Sequence, residues 1–215
     1  KLPDGKEIRY GYDPLGRRTS IEKNGSVERL VYFGSNVVAT ADTSGNIRRV
    51  FVPTAALDFP LFARIENEWY AYHQDINASI TAMSDGQGRV AFEAEYSAFG
   101  APLKESALAN PFGFAGMWYE KDSGIYHCRA REYDPAVGAF LQPDPFPGEV
   151  ERPDTQMAYA FAHNNPVTNR DPEGKVIALV VGAAVIGLAA VLIMFTPVGQ
   201  SMGQRKNATD QITGG

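Results

Sequence analysis

The stretch REYDPAVGAFLQPDPFPGEVERPDTQMAYAFAHNNPVTNRDPEG, Arg131 to Gly174, divides the chain into two physically different halves. Upstream lies turn-rich, strand-forming sequence; downstream comes an uncharged apolar run, Val176 to Phe195. Three Asp-Pro pairs, at Asp134, Asp144 and Asp171, mark turns within it. Proline fixes φ and lacks an N–H, while the preceding carboxylate can accept hydrogen bonds from the backbone just ahead.

Working back from that stretch, the composition is that of an all-β protein. The chain has 215 residues, 44% of them hydrophobic, with 21 Gly, 14 Pro, 10 Tyr and 12 Phe, enough for a real core and many tight turns. It opens on Lys1 with neither an initiator Met nor a signal peptide and reads as a piece of something longer. A net charge of −5 without a long basic run argues against a nucleic-acid surface. Cys128 is the single cysteine, which excludes an internal disulfide, and His73, His127 and His163 are scattered, so no metal site and no cofactor are expected.

Residues 8 to 33 alternate apolar and polar side chains around Asp13-Pro14 with Gly16 and around Asn24-Gly25. Asn-Gly predicts a type I′ hairpin, which needs positive φ at both central positions. The same design recurs at Asp42–Asn46 and Asp85–Arg89, so units of about twenty residues must stack into a continuous sheet to bury a face. The aromatic series Tyr10, Tyr12, Tyr32, Phe33, Trp69, Tyr70, Tyr72, Phe92, Tyr96 and Phe99 reads as cross-strand packing, with a stacking platform for a ligand as the alternative. PTAALDFP, Pro53 to Pro60, interrupts the strands as an exposed loop or an inward tuck.

These motifs, taken in order, carry a family resemblance. YGYDPLGRRT (10–19), WYAYHQDINASITAMSDGQGRVAFEAEYSAFG (69–100), NPFGFAGMWYEKDSGIYHCRAREYDP (110–135) and the opening stretch together resemble the Rhs/YD-repeat family over nearly all of residues 8 to 174. The resemblance implies a hollow β-shell wound from YD repeats. It also implies an aspartyl autoprotease that cuts after P-x-x-x-x-D-P-x-G-L and leaves a C-terminal toxin inside. Pro166 to Gly174 fit that motif up to the glycine; Lys175 stands in place of its leucine, and Ala139 replaces the arginine of the usual G-R-F. Three regions are expected: repeat sheet 1–109, core and autoproteolytic plug 110–174, and the start of the cargo, 175–215.

Two-aspartate hydrolysis needs carboxylates close enough to share one proton, because like charges in contact cannot both ionise. Asp144 is the first candidate, with Asp122 or Asp134 as its partner. Arg131 is placed to hold an aspartate ionised or to orient the loop, or else to pair with a surface carboxylate. Cleavage is expected between Gly174 and Ile177, at the Gly174-Lys175-Val176 segment. The resemblance implies as partners the chain's own toxin segment, the N-terminal remainder of the shell, secretion machinery and a target membrane, with delivery out of a bacterial cell. Twenty uncharged residues over 176–195 match a bilayer's hydrocarbon as a helix, against a buried helix or strand pair. A non-enzymatic YD-repeat surface or adhesion scaffold with that segment as its anchor is the competing reading.

Overall fold

The computed structural model describes Gly5, residues 7–145, 156–171 and Gly174, and the backbone of 178–179. It is all-β. Ten strands, β1 Ile8–Tyr12, β2 Arg18–Lys23, β3 Ser26–Phe33, β4 Asn36–Ala41, β5 Ile47–Pro53, β6 Pro60–Ile65, β7 Glu68–Gln74, β8 Ile80–Ser84, β9 Val90–Tyr96 and β10 Pro102–Glu105, form one antiparallel sheet. Their order in the sheet is their order in the chain. A second sheet follows, β11 Trp118–Glu120, β12 Ile125–Cys128, β13 Arg131–Asp134 and β14 Ala139–Phe140, again in sequence order. Asn169–Arg170 (β15) pair with Ala178–Leu179 (β16).

The predicted hairpins form, and their turn chemistry is visible. Asn24 and Gly25 take φ of 48° and 78°, the double positive φ of a type I′ turn. The longer turns repeat one device built on an aspartate. At Asp13, Asp42, Asp75 and Asp85 a carboxylate oxygen accepts the N–H groups two and four residues on, between 2.8 and 3.0 Å. The residue three places on then takes positive φ; it is glycine in three of these turns and Ala78 in the fourth, at φ 66°. Glu66-Asn67 makes the β6–β7 turn with φ of 51° and 68°, although neither residue is glycine.

Alternation gives the ten-stranded sheet one packed face, carrying Ile21, Leu30, Phe51, Ile65, Ile80, Met83 and Phe92, all under 7% exposed. The second sheet inserts Trp118 into that core, where its ring meets Phe112 and Phe51 edge-on at 5.7 and 6.3 Å. Its own centre is aromatic: Tyr126, Tyr133, Phe140 and Phe161. The buried hydroxyls reach carbonyls, Tyr126 to Gly100 at 3.0 Å and Tyr133 to Phe99 at 2.7 Å, so burial leaves neither unsatisfied. Of the aromatic series read from the repeats, Tyr72 and Phe92 are buried, and Tyr10, Tyr32, Tyr70 and Tyr96 pack against the core. Tyr12, Phe33 and Trp69 stay exposed.

Pro53 to Pro60 is an inward tuck. Thr54 N donates to Phe59 O, closing the loop, and the Asp58 side chain turns under it with 8% exposure. No helix among the described residues is long and apolar enough to cross a membrane. The helix read from the sequence over 176–195 is not found at Ala178–Leu179, which pair as a strand; the rest of that run lies outside the described residues.

Candidate functional site

The β12–β13 turn brings the candidate residues together. Cys128 pairs with Arg131 across it, so Arg131 stands at the turn end of the second sheet. β14 runs back alongside β13, with Phe140 opposite Tyr133 and Leu141 N donating to Glu132 O, and this carries the chain to Asp144 at that same end. Asp144 N donates to Ala158 O at 2.7 Å, fixing the aspartate's backbone.

Arg131 is the centre of the site. Its Nη2 lies 2.8 Å from Asp144 Oδ2 and 2.8 Å from Asp171 Oδ2, so both acids converge on one nitrogen. Nη1 donates to Ala158 O at 3.3 Å, and the guanidinium lies 3.6 Å over the Phe140 ring. The Arg131 and Asp171 side chains are 2% exposed and Asp144 18%, so solvent reaches the pair from the Asp144 side. Water-poor surroundings strengthen each of these charge-assisted bonds.

Asp171 and Gly174 both pack on the turn. Cys128 Sγ donates to Asp171 O at 3.0 Å. Burial pushes the thiol well above its ordinary range, and the negative charges of Asp171 and Asp58 push it further, so Cys128 packs as a neutral group. Gly174 lies on the same turn with φ 67°; a Cβ there would stand 2.4 Å from Cys128 O and 3.4 Å from Arg131 N. Only glycine permits that approach.

Asp122 and Asp134 are placed elsewhere. Asp122 lies in the β11–β12 turn, half exposed, 2.7 Å from Lys23 Nζ. Asp134 opens the β13–β14 turn, its carboxylate accepting Ala136 N at 2.8 Å. Both sit at the end of the second sheet opposite Arg131, about 10 Å along the strands at the usual rise per residue. The acid that shares Arg131 with Asp144 is instead Asp171, read from the sequence as a turn former within the cleavage motif. Lys175 and Val176 lie outside the described residues.

A buried ion cluster adjoins the site. Asp58 accepts two bonds from Arg129, at 2.7 and 3.1 Å, and Arg170 Nη2 is 3.7 Å away. Behind it, Glu132 receives Arg18 at 2.5 Å and His127 Nδ1 at 3.0 Å. Among the described residues no group of three or more His, Cys, Asp or Glu side chains could hold a metal ion.

Residues 3–167 match the model of the Teneurin YD-shell family. The tRNA nuclease WapA of Bacillus subtilis (strain 168) is 35% identical over 180 residues, which is 81% of this chain and 8% of that protein. Toxin protein Tse5 of Pseudomonas aeruginosa is 31% identical over 121 residues, 56% of this chain and 9% of the relative. Among solved structures, a Photorhabdus luminescens Tc holotoxin pore matches with a TM-score of 0.61 at 19% identity, over 81% of this chain and 9% of that one, a likeness of fold. The chain therefore spans under a tenth of the length of these relatives. With the repeat turns, the ordered meander and a family match over 165 residues in agreement, the chain belongs to the Teneurin YD-shell family, the YD-repeat group that its motifs resemble.

Proposed function

We propose that this chain is the closing part of an Rhs-type toxin shell, and that Asp144 and Asp171 cut their own backbone next to Gly174 to free an enclosed C-terminal segment. Residues 1–109 then serve as wall, 110–174 as the cutting plug, and 175–215 as the start of the cargo, delivered with the shell from a bacterial cell. One observation carries this reading: both acids meet a single nitrogen of Arg131 at 2.8 Å, while Gly174 is packed on the turn that bears that arginine.

The chemistry uses one water. The ionised carboxylate takes a proton from it as its oxygen attacks the scissile carbonyl, and the protonated carboxylate gives its proton to that carbonyl's oxygen. Collapse of the tetrahedral intermediate breaks the C–N bond: the carboxylate that took the water's proton gives it to the departing nitrogen, and the hydroxyl's proton returns to the other carboxylate. Arg131 supplies the positive charge that lets one acid stay ionised beside the other. Tethering replaces capture of a separate substrate by proximity, and limits the site to one turnover.

The test is the full-length parent protein run on a denaturing gel beside Asp144→Asn and Asp171→Asn. Wild type should appear as two pieces, the smaller beginning between Lys175 and Ile177 by terminal sequencing, and both variants as one. A second reading treats Arg131 with its two acids as a structural ion pair in a non-enzymatic surface scaffold. The neutralising contact itself favours it, as does 27% identity over 234 residues to salivary gland surface protein 1 of Aedes aegypti. Intact wild-type protein supports that reading.

A further inference from the structure

The tucked loop between β5 and β6 reaches the site by a route that neither the repeats nor the cleavage motif requires. Its Asp58 has φ 65°, and its carbonyl is held from two sides: Gln74 Nε2 donates to it at 3.2 Å, and a Cβ on Gly116 would stand 2.2 Å from it. The carboxylate is thereby aimed away from solvent at two arginines. Arg129 binds it through both Nη atoms, and Arg170 stands 3.7 Å away with its guanidinium 5.1 Å over the Phe59 ring and Nη2 3.4 Å from Ala115 O.

The chain positions of those two arginines give the cluster its meaning. Arg129 lies two residues before Arg131, inside the β12–β13 turn, at φ 45°. Arg170 immediately precedes Asp171. One wall carboxylate thus holds a neighbour of the central arginine and a neighbour of the second acid, from two segments about forty residues apart. A buried ion cluster contributes little net stability, because desolvating the charges offsets their attraction. What it does specify is geometry, and hydrolysis at a tethered peptide depends on geometry to within about an ångström.

We propose that Asp58 is a positioning residue for the cut. By fixing Arg129 and Arg170 it sets Asp171 and Gly174 against Arg131 and Asp144, so cleavage waits until the β5–β6 loop of the wall has docked on the plug. The proposal rests on the self-cleavage reading, and its test separates the two.

In the full-length parent, the rate of conversion to two bands is compared for wild type, Asp58→Asn, Arg170→Gln and the double variant. Each single variant should slow cutting by about tenfold or more, and the double variant should be no slower than the slower single, because both break one linkage. Cutting at the wild-type rate in Asp58→Asn, or slowing that multiplies in the double variant, overturns the proposal. Should Asp58→Asn fail to fold, Arg170→Gln, which leaves the Asp58–Arg129 pair whole, probes the same linkage: wild-type speed there overturns the positioning role.

A second measurement needs no cutting. In the Asp144→Asn background, adding Asp58→Asn should speed amide exchange from Asn169 to Gly174 more than in β5 and β6, beyond the general loss of stability that comes from leaving two arginines without their acid. Unchanged exchange overturns the positioning role. A wild type that stays whole sinks self-cleavage instead, and exchange still decides whether Asp58 orders the loop.

Discussion

Arg18, in the first repeat, and Glu132, in the second sheet, meet at 2.5 Å across 114 residues of chain, with the Arg18 side chain wholly buried. Its guanidinium also lies 3.9 Å over the Tyr10 ring. Removing one partner of such a pair leaves an uncompensated charge inside the protein. Arg18→Ala should therefore cost about 3 kcal/mol or more, seen as a lowered melting temperature of the parent shell. A loss within the noise of a surface substitution would mean that the contact is dispensable.

His127 shares Glu132 with Arg18, and its pKa direction gives a pH dependence. Burial holds the imidazole below its ordinary value, although its bond to Glu132 pulls the other way; the positive charges of Arg18 and Arg129 add to the lowering. The folded protein therefore resists a proton that the unfolded chain accepts near pH 6.5. Stability from this site is complete above that pH and declines as pH falls below it. Thermal melts from pH 7.5 to 5 should show the decline, and His127→Gln should flatten it.

Gly174 tolerates no side chain, since a Cβ would stand 2.4 Å from Cys128 O at a backbone of φ 67°. Gly174→Ala should lift the cleavage loop off the β12–β13 turn. The expected result is an uncut parent with an unchanged melting temperature, because the ten-stranded wall makes no use of this contact. Normal cutting in that variant would place the reacting peptide elsewhere.

Arg131 binds both acids through Nη2 while Nη1 donates to Ala158 O and the guanidinium stacks on Phe140, an arrangement that depends on the planar fork as well as the charge. Arg131→Lys should slow cutting by about tenfold or more while retaining some of it, and Arg131→Met should stop it. Equal rates in the two variants would show that the charge has no part in the reaction.

The wall was readable from the sequence because each hairpin is specified locally. Asn24-Gly25 and the Asp-x-x-Gly turns name their own conformations, and alternation between them names the buried face. Glu66-Asn67 carries a weaker mark, an Asn that tolerates positive φ but with Glu66, not glycine, beside it; pairing of the strands on either side imposes the turn. Arg131 and Asp144 were likewise legible from their motif. Their partner was not, because nothing in a linear order distinguishes Asp122, one strand away, from Asp171, forty residues on and delivered by a separate hairpin. Asp58 left still less trace: its partners belong to two other segments, and its own loop showed only prolines and small apolar residues.

The ten wall strands follow one another without a single crossover. Each can therefore dock on its predecessor as it leaves the ribosome, with short loops to close at every step. The Arg131 site is the opposite case, since Arg131, Asp144 and Asp171 span 41 residues, and Arg129 and Arg170 beside them pair with Asp58 well upstream. On the proposed self-cleavage, an incomplete nascent chain would lack the assembled acids, and the order of synthesis would set when release can begin.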